Sequence, residues 1–231
     1  MIVVTGDIHG EYDISKLSQR AKFHNMTKND YLLICGDFGL VWDNGSTDMW
    51  WRTWLDQKPY TTLFVDGNHE NFDLLYEFPE ETWHGGRIHR INDSIIHLMR
   101  GQVFDICGKT FFTMGGAESH DKEHRKEGVS WWAQELPSRE EYAEARKNLD
   151  NCGNTVDYII THCAPTNVQK ELIRRTWDPT YTQNELTDFL EEVKNTVTFE
   201  KWFCGHYHID ITTLTEPRLR VLFYDLLKLP Q

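Results

Sequence analysis

The chain has 231 residues, 39% of them hydrophobic, with nine Trp and twelve Phe. That is enough apolar mass for a sizeable core and excludes a disordered chain. The formal net charge of −12 argues against an extended nucleic-acid surface, which needs Lys and Arg to neutralise phosphates.

Ile2-Val3-Val4 reads as a short buried strand running into Asp7-Ile8-His9. Residues 11–24 carry Ile14, Leu17 and Ala21 at helical spacing. A second apolar run, Tyr31–Cys35, ends in Gly36-Asp37, and Ser46 is placed to cap a helix holding Trp50, Trp51 and Trp54. A third run, Thr61–Val65, leads to Gly67-Asn68-His69-Glu70 and a short helical stretch with Leu74 and Leu75. Arg87–Ile91, Ser94–Met99, Val103–Ile106 and Lys109–Met114 are separated by Asn92-Asp93, Gly101 and Gly108. They read as antiparallel hairpins.

Gly115-Gly116 opens a charged stretch over 117–130. Ser138 and Glu141 form a capping-box signal for a helix carrying Tyr142, Ala145 and Leu149. The run Val156–Ile160 leads to Thr161-His162 and Pro165. Thr182-Gln183-Asn184-Glu185 gives a second capping box, before Leu186, Phe189, Leu190 and Val193 on one helix face. Lys201–Cys204 leads to Gly205-His206-Tyr207-His208, and strands near 211–215 and 219–224 close the chain. With no repeat and no linker, residues 1–231 read as a single α/β domain. Its element order suggests two mixed sheets packed face to face with helices outside.

The N-terminus enters a strand without a leader pattern, and no window approaches the about 18 apolar residues of a membrane span. Five cysteines without CxxC spacing read as free thiols in a reducing compartment. Both signs point to a cytoplasmic protein with no membrane partner. Cys35, Cys163 and Cys204 beside the motifs read as small buried side chains, with a thiolate ligand as the alternative.

The polar clusters share one rule: each follows an apolar run. Strands of one sheet that end at the same edge bring such groups near one point. In Asp7-Ile8-His9, residues two apart share a face of an extended segment, so both reach one metal while Ile8 points into the core. His206 and His208 are related in the same way. Gly36 frees the backbone for a sharp exit, and the two oxygens of Asp37 can bridge two ions. Asn68 adds a neutral carbonyl oxygen. With His162, the set comprises two carboxylates, one amide and four imidazoles. It suits two borderline or hard divalent ions: manganese first, then iron, zinc, nickel or magnesium. Two such ions lower the pKa of a bound water and clamp a phosphoryl group, so that metal-bound hydroxide hydrolyses a phosphate ester in line. His69 is expected to stabilise the oxyanion if neutral, or to protonate the leaving oxygen if charged.

The order Asp-x-His, Gly-Asp, Gly-Asn-His-Glu, His and Gly-His-x-His, from Asp7 to His208, resembles the calcineurin-like metallophosphoesterase family. The resemblance implies a four-layer α/β/β/α sandwich and a dinuclear centre. One metal would take Asp7, His9, Asp37 and His208. The other would share Asp37 and take Asn68, His162 and His206. His69 matches the family's catalytic histidine. The protein Ser/Thr phosphatase branch continues its second motif with an Asp and an Arg; here Leu40 and Val41 stand in those places. The chain looks more like the small bacterial and phage phosphoesterases. Asp43, Asp66 or Asp73 is left to orient His69.

Substrate grip is expected from the 115–125 loop, which in this family can overhang the metals. Arg125 is the preferred phosphate contact because a guanidinium pairs bidentately with phosphate, with His120 and His124 beside it. Trp131-Trp132 and Trp50-Trp51-Trp54 read as packing groups, or else as a nucleobase platform. The expected substrate is a phosphorylated small molecule or a nucleotide. Alternatives are a nuclease or nucleotide phosphodiesterase, a protein Ser/Thr phosphatase, and a noncatalytic scaffold of the same fold.

Overall fold

The computed structural model describes residues 1–230, except the side chains of Arg20 and Ala21. Ala21, expected on a helix face, therefore has a side chain outside the described residues.

The short apolar runs are strands that bury both faces, as parallel strands covered on both sides do. Strands β1 (Ile2–Thr5), β2 (Tyr31–Ile34) and β3 (Thr61–Phe64) are fully buried and run parallel. They are joined by β4 (Glu80–Trp83), β5 (Gly86–Asn92), β6 (Ile95–Leu98) and, from the far end of the chain, β13 (Leu227–Lys228). The order is β13-β1-β2-β3-β6-β5-β4. The second sheet holds β7 (Gln102–Ile106), β8 (Lys109–Met114), β9 (Tyr158–Thr161), β10 (Lys201–Cys204), β11 (Ile211–Thr212) and β12 (Leu219–Val221), in the order β11-β12-β10-β9-β8-β7. The two expected hairpins thus belong to different sheets, and the chain crosses between them at Met99–Gly101.

Side-chain alternation sorts the strands into layers. Ile2, Val4, Leu33 and Leu63 meet Phe104, Phe111, Ile160 and Phe203 in the core between the sheets. Val3, Leu32 and Phe64 point outward against α1 (Ser46–Asp56), α2 (Phe72–Leu75) and the 3-10 turns near Ile14 and Leu17. On the other side, Phe112, Ile159 and Trp202 pack on α3 (Arg139–Asn151), α4 (Thr166–Thr176) and α5 (Glu185–Thr196). The result is the four-layer α/β/β/α sandwich of two mixed sheets.

Several local expectations need correction. Residues 11–24 form two 3-10 turns, Ile14–Ser18 and Arg20–Phe23, rather than one helix. Helix α1 has Gly45 as its N-cap; Ser46 is already its first turn. The second capping box is built by Asn184 and Thr187, two residues beyond the predicted pair. The fourth long strand starts at Tyr158, because Asp157 turns its carboxylate onto Thr110 and Lys109. Trp132 is buried and its indole donates to Asp73, so it is a packing group, whereas Trp50 stays 58% exposed. No helix among the described residues is long and apolar enough to cross a membrane.

Beneath the third strand end lies a buried charge cluster. Arg100 donates twice to Asp66, at 2.9 and 2.5 Å, and His97 bonds the other oxygen at 3.0 Å. Burial opposes ionisation of Asp66, but Arg100 and His97 hold its carboxyl well below the usual range. Its contribution to stability is therefore complete above the unfolded Asp pKa of about 3.9 and is lost as pH falls through the folded value. Asp66→Asn leaves Arg100 buried without its carboxylate and should cost about 3–5 kcal/mol in urea unfolding. A loss below about 1 kcal/mol would show that Gln134 and Glu141 suffice for Arg100.

Candidate dinuclear metal centre

The ends of β1, β2, β3, β9 and β10 converge at one edge of the sandwich. Glycines make the convergence possible. Gly36 has φ +94°, and a Cβ there would lie 2.1 Å from His162 Nδ1. At Gly205 a Cβ would lie 1.9 Å from Asp7 Oδ1. These strand exits are glycine because neighbouring functional side chains occupy the space.

Asp37 sits in the middle, 1% exposed. Its Oδ2 is 3.2 Å from His9 Nε2, and its Oδ1 is 3.2 Å from His162 Nε2. One oxygen therefore faces each half of the site. On the first side, Asp7, His9, Asp37 and His208 each offer one atom, all within 4.8 Å of one another. His208 Nε2 lies 3.4 Å from Asp7 Oδ2. On the second side, Asn68 Oδ1 lies 3.2 Å from His162 Nε2, and the rings of His162 and His206 are 4.9 Å apart. The structure thus brings together all seven predicted donors. The hard and borderline character of these donors and their mutual spacing fit divalent ions.

The reason for this convergence differs from the alternation argument. His9, Asp37, His206 and His208 all have positive φ, between 41° and 70°. They lie on turns, not on extended segments. Hence His208 reaches the Asp7 side while His206 turns toward His162, instead of sharing one face. Left-handed backbone at non-glycine residues is strained and persists where surrounding contacts enforce it.

Those contacts involve residues that the sequence did not single out. Lys16 is buried and its ammonium donates to the carbonyls of Gly6, Asp7 and Phe223 at 3.1, 2.5 and 2.5 Å. Glu70 is buried and accepts the backbone N–H groups of Phe38 and Gly39 at 2.7 and 3.1 Å, fixing the turn at Asp37. Burial and nearby Asp37 push the Glu70 carboxyl up to about 8. Asn68 donates to Ser119, which donates to the buried Glu135; this turns the amide oxygen toward His162. A lysine between apolar Ile14 and Leu17, and the glutamate closing Gly-Asn-His-Glu, are the signals that mark the first two. Ser119 and Glu135 leave none.

Ring orientation is fixed from behind. His9 Nδ1 is 2.7 Å from Asp13, and His162 Nδ1 donates to the Cys35 carbonyl at 2.8 Å. Both rings therefore turn Nε2 toward Asp37. Burial works against charge on these imidazoles, but Asp37 and Asp7 raise His9 to about 9 and His162 to about 10. Burial, reinforced by His162, pushes His206 down to about 3. Burial likewise opposes ionisation of Asp7 and Asp37, yet the imidazoles keep both below the ordinary range.

His69 lines the same cleft as His9 and His208, with its ring 5.4 Å from that of His9. Its backbone N–H donates to Asp37 at 2.8 Å. Burial lowers its pKa, aided by Arg125 and against Asp37, which favours the neutral ring. None of the three candidate carboxylates orients it. Asp66 holds Arg100, Asp73 accepts from Trp132, and Asp43 accepts from Gly45. Leu40 and Val41 are buried core residues.

In the 115–125 loop, Arg125 lies near enough to His69 to depress its pKa, but its guanidinium is engaged by Asp121 and the Ser130 carbonyl. The ring of His120 is 5.7 Å from that of Tyr181, which is 5.0 Å from that of His206. His124 is 79% exposed and pairs with Glu123. The loop thus presents His120 and Arg125 toward the site and His124 to solvent.

Residues 1–210 match the family described as calcineurin-like phosphoesterase. Two curated relatives share shorter stretches. Lariat debranching enzyme of Arabidopsis thaliana is 31% identical over 97 residues, covering 36% of this chain and 23% of that protein. Lariat debranching enzyme A of Xenopus laevis is 30% identical over 115 residues, covering 43% of this chain and 22% of that protein. The match therefore spans less than a quarter of either relative.

Gly205→Ala forces a methyl group onto Asp7 and should lower unfolding stability by about 1–3 kcal/mol, as overpacking does. Gly108→Ala, with φ +74° but nothing within 4 Å of the added Cβ, bears only the left-handed backbone cost of about 1–2 kcal/mol. Chemical denaturation together with the His206 and His208 imidazole NMR signals separates the two. Only Gly205→Ala should displace those signals.

Proposed function

Because this chain belongs to the calcineurin-like phosphoesterase family, we propose that it is a metal-dependent phosphoester hydrolase. The observation that carries this reading is Asp37, with one oxygen toward each half of the donor set. Asp7, His9, Asp37 and His208 would hold one divalent ion; Asp37, Asn68, His162 and His206 the other. Manganese is our first choice for a set of carboxylate, amide and imidazole donors. When bound, the ions supply an activated water and offset charge on the phosphoryl oxygens.

The remaining chemistry belongs to the chain. The neutral His69 has one N–H to donate, so it stabilises charge developing on a phosphoryl or leaving oxygen rather than delivering a full proton. Lys16 and Glu70 hold the turns that carry Asp7 and Asp37. Arg125 and His120 are proposed to steady the substrate from the loop; exposed His124 is the weakest of the three original candidates. The lariat debranching relatives favour a diester as substrate, as a second and narrower reading. A protein phosphatase role is disfavoured by core positions Leu40 and Val41. Residues 1–231 are taken as one catalytic unit.

At pH 7, His9 and His162 are both charged, so metal uptake should expel about two protons and strengthen as pH rises. Calorimetry in buffers of different ionisation enthalpy reads this directly. Equal heats across buffers would show that His9 and His162 carry no extra protons before the metal arrives. Asp37→Asn should reduce bound manganese below two per chain and abolish turnover of aryl phosphates. His69→Ala should keep the metal and lower kcat by about 10²–10³-fold. Metal-loaded protein inert on both mono- and diesters would refute the hydrolase reading.

A further inference from the structure

The cleft over His9, His69 and His208 has a volume of about 760 Å³, far more than a phosphate group needs and within the range of sites for organic ligands. Its lining is unusual for a phosphate site. Glu11, Asp13, Asp43 and Asp48 face it, and among the described residues no Lys or Arg does. Asp48 is occupied by the backbone N–H groups of Trp42, Asp43 and Asn44, and Asp13 by His9. Glu11 is exposed at the rim with no hydrogen bond to the rest of the described chain.

The rest of the wall is aromatic. Trp42 and Phe223 line it. Trp42 packs edge-on to Trp132 at 5.6 Å, and Phe223 stacks on His208 at 4.7 Å and 24°. The loop carrying Phe223 is tied down by Asp210, which accepts the N–H groups of residues 223, 224 and 225. Tyr12 stands at the mouth with 82% of its surface exposed. Its backbone N–H bonds the His9 carbonyl at 3.2 Å, so its position is tied to the site.

Taken with the phosphoester reading above, on which this rests, we infer that the cleft selects a small phosphodiester bearing a nucleoside, with the base against the open face of Tyr12. A diester carries one negative charge, whereas a monoester carries nearly two at pH 7; beyond the donor cluster the wall offers carboxylates and no Lys or Arg, which favours the former. A base offers a π-face to Tyr12 and a ring or exocyclic N–H to Glu11 or Asp43, the N3–H in the case of thymine. The chain's net charge of −12 argues against extended contact with a long polyanion, which favours a substrate of mono- or dinucleotide size. In the reaction, water adds its oxygen to phosphorus and one P–O bond breaks. The departing alcohol carries off a proton, and a monoester remains.

The test compares thymidine 5′-(p-nitrophenyl phosphate) with methyl p-nitrophenyl phosphate on the manganese-loaded chain, since both release the same phenolate. The nucleoside ester should have a kcat/KM at least about 10-fold higher, and Tyr12→Ala should cut that ratio by about 5- to 150-fold, the span of one base–aromatic stack. Tyr12→Phe should retain it. On metal-free protein, saturation-transfer NMR with thymidine 5′-methyl phosphate should mark the base protons, and Tyr12→Ala should erase that signal. A ratio near one, or one that Tyr12→Ala leaves unmoved, overturns the nucleoside inference while phosphoester hydrolysis stands. Turnover of p-nitrophenyl phosphate alone overturns the diester inference. Turnover of none of the three overturns the hydrolase reading itself.

Discussion

Two ionised carboxylates, Asp7 and Asp37, lie buried side by side at the sheet edge, and the site depends on answering that charge. Removing one carboxylate from water costs several kcal/mol, and a second beside it adds repulsion. The chain answers with imidazolium character on His9 and His162 and with N–H donors from the backbone of His69 and His206. Protons on imidazoles are exchangeable for metal ions. A site that must contain positive charge in order to stay folded is thereby prepared to take cations.

The fold supplies the geometry for this by ending five strands at one edge and bending the chain sharply after each. Glycine at the exits admits the neighbouring side chains, and left-handed turns at His9, Asp37, His206 and His208 aim the donors inward. Such turns would relax if left alone. Lys16 ties β1's exit to the Phe223 loop, and Glu70 ties the Asp37 turn to the Asn68 turn. Both are buried polar groups far from any apolar logic, which is why each is surrounded by backbone partners.

The strands and the donor set were legible in the sequence because runs such as Leu32-Leu33-Ile34 have no reading but a doubly buried strand, and each run ended in a recognisable motif. Elements with polar buried faces were not. Helix α4 hides its period because Gln169 and Glu171 are buried through bonds to Tyr207 and to the Leu214 and Thr215 backbone. Strand β4 is a half-exposed edge, and β13 is two residues long. The 11–24 helix failed where Lys16 turns to serve three carbonyls. The choice among Asp43, Asp66 and Asp73 as partner of His69 failed for a related reason. Nearness in sequence says nothing of Arg100 and Trp132, which claim two of them from elsewhere in the fold.

Leu40 and Val41 carry a further consequence. Where a phosphatase of this family would place a carboxylate and a guanidinium over the substrate, this chain has core side chains under β2 and β3. Positive charge near the site then comes from the donor cluster and from Arg125 on the 115–125 loop, and the cleft wall is acidic and aromatic. A wall of that kind adds little attraction for a free phosphate ion. It leaves the electrostatic stabilisation to act at phosphorus, where charge develops during reaction, and leaves discrimination to the shape and stacking of the organic part. On the proposed reading, binding energy so divided favours the transition state over the phosphate-bearing ground state, and the group beyond phosphorus would then decide which ester is turned over.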